Sequence, residues 1–365
     1  MTGVATGWGW VAHLRDGGTT PWARWTGAAE PLGPALPGAQ QLELLRRINL
    51  VDRPSVKLAD AVLAVDPPRR TRPSLPLAGG PDAPTHGPRP ADPTELGDND
   101  LTRLAAVLLA QDLASRPLQA PRDGWRRPWR IRYHLLGDPE HTVSLRRDLV
   151  ARGRPPGGYG GRTLVIGTDT SRMLVDLWTA HCFRNGALPW RDWLVVCVRR
   201  GTLPTPLDLD ALARREIDRP GTHRVHVVTD PALAPGLLGV RRGPGLPQPM
   251  AASAVDLARR IAAALRPIAP PQRRTRLLTE VLRPRLADEP GLPLVVPSRH
   301  RGWVQDEADR LHRQLQRGRY PVHGDPALVL PVDRAGVEAP DVSVTLGLAI
   351  RLLLETEHQN RGEGP

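Results

Sequence analysis

The chain has 365 residues, which is enough for one large domain or two smaller ones. It carries 50 basic and 38 acidic residues, for a formal net charge of +12, and Lys57 is its single lysine, so arginine supplies nearly all of the positive charge. Arginine-rich surfaces can bind nucleic acid or phosphate. Because no run of arginines is interleaved with aromatic residues, the sequence disfavours nucleic-acid binding.

Membrane, secretion and metal signals are weak. No apolar stretch approaches the length of a membrane span, and the first ten residues lack the charged start and apolar segment of a signal peptide. The sequence therefore predicts no membrane association and a cytoplasmic location. Cys182 and Cys197 lie in apolar runs, which predicts buried thiols. Neither belongs to a metal or redox spacing, so no metal is expected.

Helical patterns dominate the first third of the chain. Residues 1–66 are predicted to form a helical N-terminal region, within which Gln40 to Asn49 places its leucines and isoleucine on one face. Residues 67–98 hold a tract rich in proline and glycine, which is typical of an extended linker. Residues 99–125 are predicted to form one further helix and a polar connection.

An alternating pattern of strands and helices follows. The strands are predicted at Trp129 to Leu136, Thr163 to Gly167 and His223 to Thr229, with helices between them. The order β-α-β-α-α-β implies a three-layer α/β domain with a mostly parallel sheet, over residues 126–335. Residues 336–365 are predicted to form a C-terminal helix and a loose tail.

The second strand and its helix form the clearest unit of the sequence. Thr168 or Asp169 is a natural N-cap, and Asn185-Gly186 is a natural stop. Between them, six side chains recur at helical spacing and predict one apolar face: Met173, Leu174, Leu177, Trp178, Cys182 and Phe183. The apolar run from Trp190 to Val198 fits either a helix or a strand.

The candidate site consists of the loops that follow the first two strands. In α/β domains ligands bind at the carboxyl ends of the strands, which here points to 137–144 and 168–172. Both loops precede a helix N-terminus, where backbone N–H groups can bind an anion. Asp138, Glu140 and Asp169 would repel an anion, however, and they serve equally well as ordinary helix caps. From the residues alone, an anion site and plain capping both stay open.

The order of several motifs resembles that of actinobacterial sulfotransferase-like proteins of the P-loop fold. The resemblance rests on the helix with Trp178 followed by Asn185-Gly186, on the segments Arg224 to Pro231 and His300 to Val304, and on the loop Tyr320 to Asp325. It implies a P-loop sulfotransferase fold. It also implies transfer of a sulfuryl group from 3′-phosphoadenosine 5′-phosphosulfate to a small hydroxylated acceptor.

The resemblance also assigns roles to individual residues. Gly137, Thr142 and Ser144 would hold the 5′ side of the donor, Ser171 and Arg172 would hold its 3′-phosphate, and His141 or His134 would act as the base. Active members of the family carry a lysine where this chain has Glu140. A degenerate, non-catalytic binding or scaffold protein on the same fold, with a protein partner, is therefore the alternative.

Overall fold

The computed structural model describes residues 2–27, 36–65, 74–78, 88–118, 132–157, 161–184, 186–219 and 224–362. Half of the predicted linker at 67–98 lies outside these ranges, namely residues 67–73 and 79–87. The first residues of the strand predicted from Trp129 also lie outside them, as do Asn185 and His223. The helices of the described residues are, in chain order, α1 Thr2–Arg15, α2 Ala39–Asn49, α3 Val56–Ala64, α4 Asp98–Ser115, α5 Pro139–Ala151, α6 Thr170–Cys182, α7 Trp190–Arg200, α8 Leu209–Ile217, α9 Ala234–Leu237, α10 Ala252–Leu265, α11 Pro271–Arg276, α12 Arg283–Leu286, α13 Arg301–Arg317 and α14 Val342–Gly362.

The chain groups into two compact units. The first unit combines Met1–Pro117, Asp256–Arg285 and Asp341–Pro365, and its described part is helical, with α14 packed along α4. The second unit combines Leu118–Val255 and Leu286–Pro340. Residues 256–285, which the sequence placed in the α/β domain, thus group with the N-terminal helices. Helical periodicity shows that such a segment buries one apolar face, but it does not show which part of the protein covers that face.

The second unit contains a parallel sheet, so the α/β prediction is confirmed. Within the described residues, four strands lie in the order β1 Tyr133–Gly137, β2 Arg162–Ile166, β3 Arg224–Val228 and β4 Val322–His323. Leu135 pairs with Leu164 and Val165 with Val227, and every pairing in the sheet is parallel. The carboxyl ends of all four strands therefore lie along one edge.

Each face of the sheet carries an apolar core, because successive side chains of a strand point to opposite sides. Leu164 and Ile166 pack on one face with Leu145 and Leu149 of α5. Val165 of the same strand packs on the other face with side chains of α6 and α8. Helices thus cover both faces of the sheet, as the β-α-β pattern predicted.

Helix α6 follows the sequence pattern closely. All six predicted apolar side chains of its face are buried, and Trp178 is fully enclosed. Asp169, one of the two predicted N-caps, accepts a hydrogen bond from the backbone N–H of Arg172 at 3.0 Å. The helix ends at Cys182, and Gly186 beyond it has a left-handed φ of 72°.

Two segments take conformations that the sequence left open or missed. The apolar run from Trp190 is helical (α7), and it ends at Gly201 in the left-handed conformation typical of helix C-termini. The loop predicted at Tyr320 to Asp325 contains the short strand β4. Two residues are too few to show alternation, and β4 owes its strand conformation to pairing with β3.

Candidate functional site

Each strand of the sheet is followed by an aspartate that caps the next helical segment. Asp138, Asp169, Asp230 and Asp325 each accept a hydrogen bond from a backbone N–H one turn ahead. All four lie at the carboxyl edge of the sheet, where α/β proteins bind ligands. In each aspartate, one carboxylate oxygen accepts the capping hydrogen bond. The four residues differ in what surrounds the second carboxylate oxygen.

Gly137, directly before the N-cap Asp138, has a backbone conformation that favours glycine. It has a φ of 96°, and a Cβ at this position would lie 2.0 Å from the carbonyl oxygen of Ile166 on the neighbouring strand. The next residue, Asp138, donates its backbone N–H to that same oxygen at 2.8 Å. A glycine is therefore required here by the close approach of two strands, whatever ligand the loop binds.

An acidic cluster lies where α5 packs against α6. We define it as Asp138, Glu140, His141 and Asp176, with Arg172 in contact. The three carboxylates are at most 5% exposed. The Oδ1 atom of Asp138 lies 3.3 Å from Nδ1 of His141, and the Nε atom of Arg172 donates to both oxygens of Asp176 at 2.7 Å.

Burial and neighbouring charges act together on Asp176. Burial raises the pKa of Asp176 well above its ordinary value; the charges of Asp138 and Glu140 raise it further, and Arg172 lowers it. The surroundings of Asp176 therefore favour either a proton on its carboxylate or a cation beside it.

A cavity of about 260 Å³ lies beside this cluster. We call it the arginine cavity, because Arg172 of α6, Arg301 of α13 and Arg334 of the following loop line it together with Ser171. Its remaining wall is largely apolar and also contains the polar side chains of Gln305 and Asp333. The main apolar members are Val175, Pro293, Leu294, Val296, Val304 and Val332. Cationic groups over an apolar floor suit an organic anion.

The three arginines differ in how firmly they are held. Arg172 pairs with buried Asp176 and also donates to the carbonyl oxygen of Pro247 at 3.2 Å. Arg334 pairs with Asp169, which is 2% exposed. Arg301 is 60% exposed, and its partner, at 3.6 Å, is the almost fully exposed Asp333. An exposed pair of this kind contributes little, so Arg301 is the arginine that an anion can most easily recruit.

A second cavity, of about 270 Å³, borders the N-terminal half of α5. His141 and Ser144 line it, together with Ile166 at the end of β2 and a wall of proline and glycine residues at 243–247. We call it the His141 cavity. The same histidine thus belongs to the acidic cluster and to a cavity wall.

The predicted site residues lie in different parts of the second unit. Ser171 and Arg172 line the arginine cavity, and His141 and Ser144 line the His141 cavity. Thr142 is buried, and its hydroxyl donates within α5 to the carbonyl oxygen of Pro139 at 3.2 Å. His134 is the second of the five residues of β1, three residues before the strand ends, and lines neither cavity. The structure therefore does not bring the donor-binding residues implied by the resemblance into one cavity.

Sequence reasoning did not select Asp176, Arg301 or Arg334. Asp176 had a signal, since it interrupts the apolar run of α6 between Val175 and Leu177 and is buried there. The two arginines had none, because in a chain so rich in arginine nothing in their local sequence marks them. Only the packing of distant segments brings them to the cavity.

Searches against protein-family profiles, curated proteins and solved structures returned no match. Among the described helices, none has both the length and the hydrophobicity that a membrane crossing requires.

Proposed function

We propose that this chain binds a small organic anion, with a carboxylate, phosphate or sulfate group, in the arginine cavity. The observation that carries the proposal is the convergence of Arg172, Arg301 and Arg334 on one apolar cavity together with Ser171. Guanidinium groups form short, charge-assisted hydrogen bonds to such anions. The apolar wall would bury the organic part of the ligand.

The size of the cavity limits the ligand. A volume of about 260 Å³ lies just below the usual range of small-molecule pockets, about 300–1,000 Å³. A compact anion would fit entirely, whereas a nucleotide would place only one end inside. Arg301 would provide the first contact, because its present partner, Asp333, is exposed and displaceable.

Sulfuryl transfer from 3′-phosphoadenosine 5′-phosphosulfate is a narrower form of this proposal. The position of Ser171 and Arg172 in the cavity wall supports it, since the resemblance gives these residues the donor's 3′-phosphate. Arg172, however, is already paired with Asp176, and Thr142 is engaged within α5. The described residues thus fit an anion better than they fit the whole donor.

The test is thermal unfolding with adenosine 3′,5′-bisphosphate, with inorganic sulfate and with uncharged adenosine, all at one ionic strength. A ligand that binds only the folded state raises the unfolding midpoint, by the equivalent of about 2.7 kcal/mol at 100 times its Kd. We expect a saturable rise with one of the anions and none with adenosine.

Two variants of helix α13 make the test specific. Arg301→Ala removes a cavity arginine whose ion pair within the described part of the chain is an exposed one, so the fold should persist while the midpoint rise is lost. Arg313→Ala removes an exposed arginine of the same helix away from the cavity and should leave the rise intact. Equal rises in both variants would refute binding in the arginine cavity. The absence of a rise with either anion in the unmodified protein would favour the non-catalytic scaffold alternative.

A further inference from the structure

We propose that Asp138, His141 and Asp176 form a binding site for one divalent transition-metal ion. These three residues each offer a ligand atom, and the three atoms all lie within 4.8 Å of one another. Ligands bound at about 2.0–2.2 Å to a common ion lie about 3–4 Å apart. Small side-chain rotations would therefore bring all three atoms onto one ion.

The elements that carry the ligands fix their positions. Asp138 is the N-cap of α5 and His141 is the third residue of the same helix, so the two side chains project from one turn. Asp176 comes from the second turn of α6, which packs against α5. Because the ligands stand on helices rather than on loops, the site is largely preorganised.

The second carboxylate oxygen of Asp138 provides an independent observation. Asp138 is fully buried, and its Oδ1 accepts the capping hydrogen bonds of α5. Its Oδ2 is also buried and has no hydrogen-bond partner among the described residues. A buried acceptor without a donor is costly, and an ionised carboxylate can only accept. A metal ion would satisfy this atom.

The local charge also favours a cation. The carboxylates of the two ligands Asp138 and Asp176 are buried together, and among the described residues Arg172 pairs with Asp176. Arg172 occupies one side of Asp176, yet each carboxylate oxygen has two lone pairs, so Asp176 retains acceptor capacity. The single positive charge of Arg172 does not balance these two ligand carboxylates, which leaves net attraction for a divalent ion.

The ligand set indicates which ions to expect. One imidazole and two carboxylates suit Zn²⁺, Mn²⁺ or Fe²⁺ better than Mg²⁺ or Ca²⁺, which prefer oxygen ligands alone. Three protein ligands also leave at least one coordination position for water, as in catalytic rather than structural sites. His141, one of the three ligands, also lines the His141 cavity.

The first experiment is isothermal titration of the full chain with Zn²⁺ and with Mn²⁺. Three variants each remove one ligand: Asp138→Asn, which keeps the ability to cap α5, His141→Ala and Asp176→Asn. The control is Asp208→Asn, since Asp208 caps α8 by the same kind of hydrogen bond, at 3.0 Å, but is not a member of the cluster. We expect one ion per chain. Loss of an outer-sphere partner already weakens metal sites about 10–100-fold, so each ligand variant should lose at least as much affinity.

A second measurement locates the ion without any variant. Crystals soaked in Mn²⁺ or Zn²⁺ should give an anomalous scattering peak between α5 and α6, within bonding distance of the three ligand atoms. A peak only at surface histidines, undiminished affinity in all three ligand variants, or no binding of either ion would overturn the proposal. The anion titration concerns a different cavity, so either result stands without the other.

Discussion

Replacing Arg172 by methionine should destabilise the second unit strongly, because it would leave Asp176 buried without its partner. The Nε atom of Arg172 lies 2.7 Å from both carboxylate oxygens, and the side chains of Arg172 and Asp176 are only 13% and 4% exposed. Breaking such a buried pair from one side costs about 3–5 kcal/mol. Methionine keeps much of the aliphatic volume, so lost packing adds little.

The cost of protonating Asp176 gives a similar value for the lost free energy of unfolding. The abandoned carboxylate can escape its burial by taking up a proton. Its ordinary pKa is 3.8, and each pH unit between that value and neutrality costs about 1.4 kcal/mol. Protonation at neutral pH therefore costs about 4 kcal/mol relative to the unfolded chain. This figure limits what the stranded charge itself can cost, and the raised pKa of Asp176 in the intact protein reduces it further.

The assay is urea unfolding followed by tryptophan fluorescence, since Trp178 lies in the same helix as the pair. The double variant Arg172→Met, Asp176→Asn removes the stranded charge and should recover at least about half of the loss, because neighbouring changes of this kind are coupled. A loss below about 1 kcal/mol in the single variant would place the pair among exposed ion pairs. A double variant as unstable as the single one would also refute the reasoning.

Two further predictions concern the sheet. Gly137→Ala should lower the free energy of unfolding by at least about 2 kcal/mol, because the new Cβ would lie 2.0 Å from the carbonyl oxygen of Ile166 at a left-handed φ. The control Gly302→Ala, in open space on α13, should be neutral or slightly stabilising in the same urea titration. Equal effects of the two variants would refute the role of Gly137. The pKa of His226 is lowered, first by burial and then by His323, whose Nε2 lies 2.9 Å from its Nδ1. The unfolded chain therefore binds more protons, so the contribution of His226 to stability is present above about pH 6.5 and is lost as pH falls through the lower native pKa. Urea midpoints measured between about pH 7.5 and about pH 5.5 should decline, and they should decline less in His226→Gln; identical slopes would refute the assignment.

The regular elements were predictable wherever a repeating pattern extended over several turns. The apolar face of α6 is one example, since its spacing identifies both the helix and its buried side chains. In the run from Trp190 to Val198 the residues from Trp193 onward are all apolar, which hides the helical period in the sequence. The structure shows that period, since Trp190, Leu194 and Cys197 are the buried residues of the 11-residue helix α7, which ends at the C-cap Gly201. Strand β4 gave no local signal, because its conformation comes from pairing with a strand almost a hundred positions earlier in the chain.

The sequence allowed us to predict the loops that contribute to the candidate site, but not how their side chains are arranged. The loops after β1 and β2 were identified from topology, and this found His141, Ser144, Ser171 and Arg172 at cavity walls. The arrangement that separates them into two cavities depends on how α5 packs on α6, which no single-sequence pattern specifies.

The same packing explains why one aspartate near the sheet edge differs from the others. Asp138 and Asp169 read alike in the sequence, each as the cap of a helix that follows a strand, and both are buried. The free carboxylate oxygen of Asp169 meets Arg334, whereas that of Asp138 has no donor among the described residues and lies beside two further carboxylates. A buried carboxylate that is paired with a guanidinium, as Asp169 is with Arg334, can remain charged in the folded protein. A buried carboxylate without such a partner requires a proton or a ligand. The proposed metal site therefore follows from what α6 brings to Asp138, which is Asp176, and not from the capping motif itself.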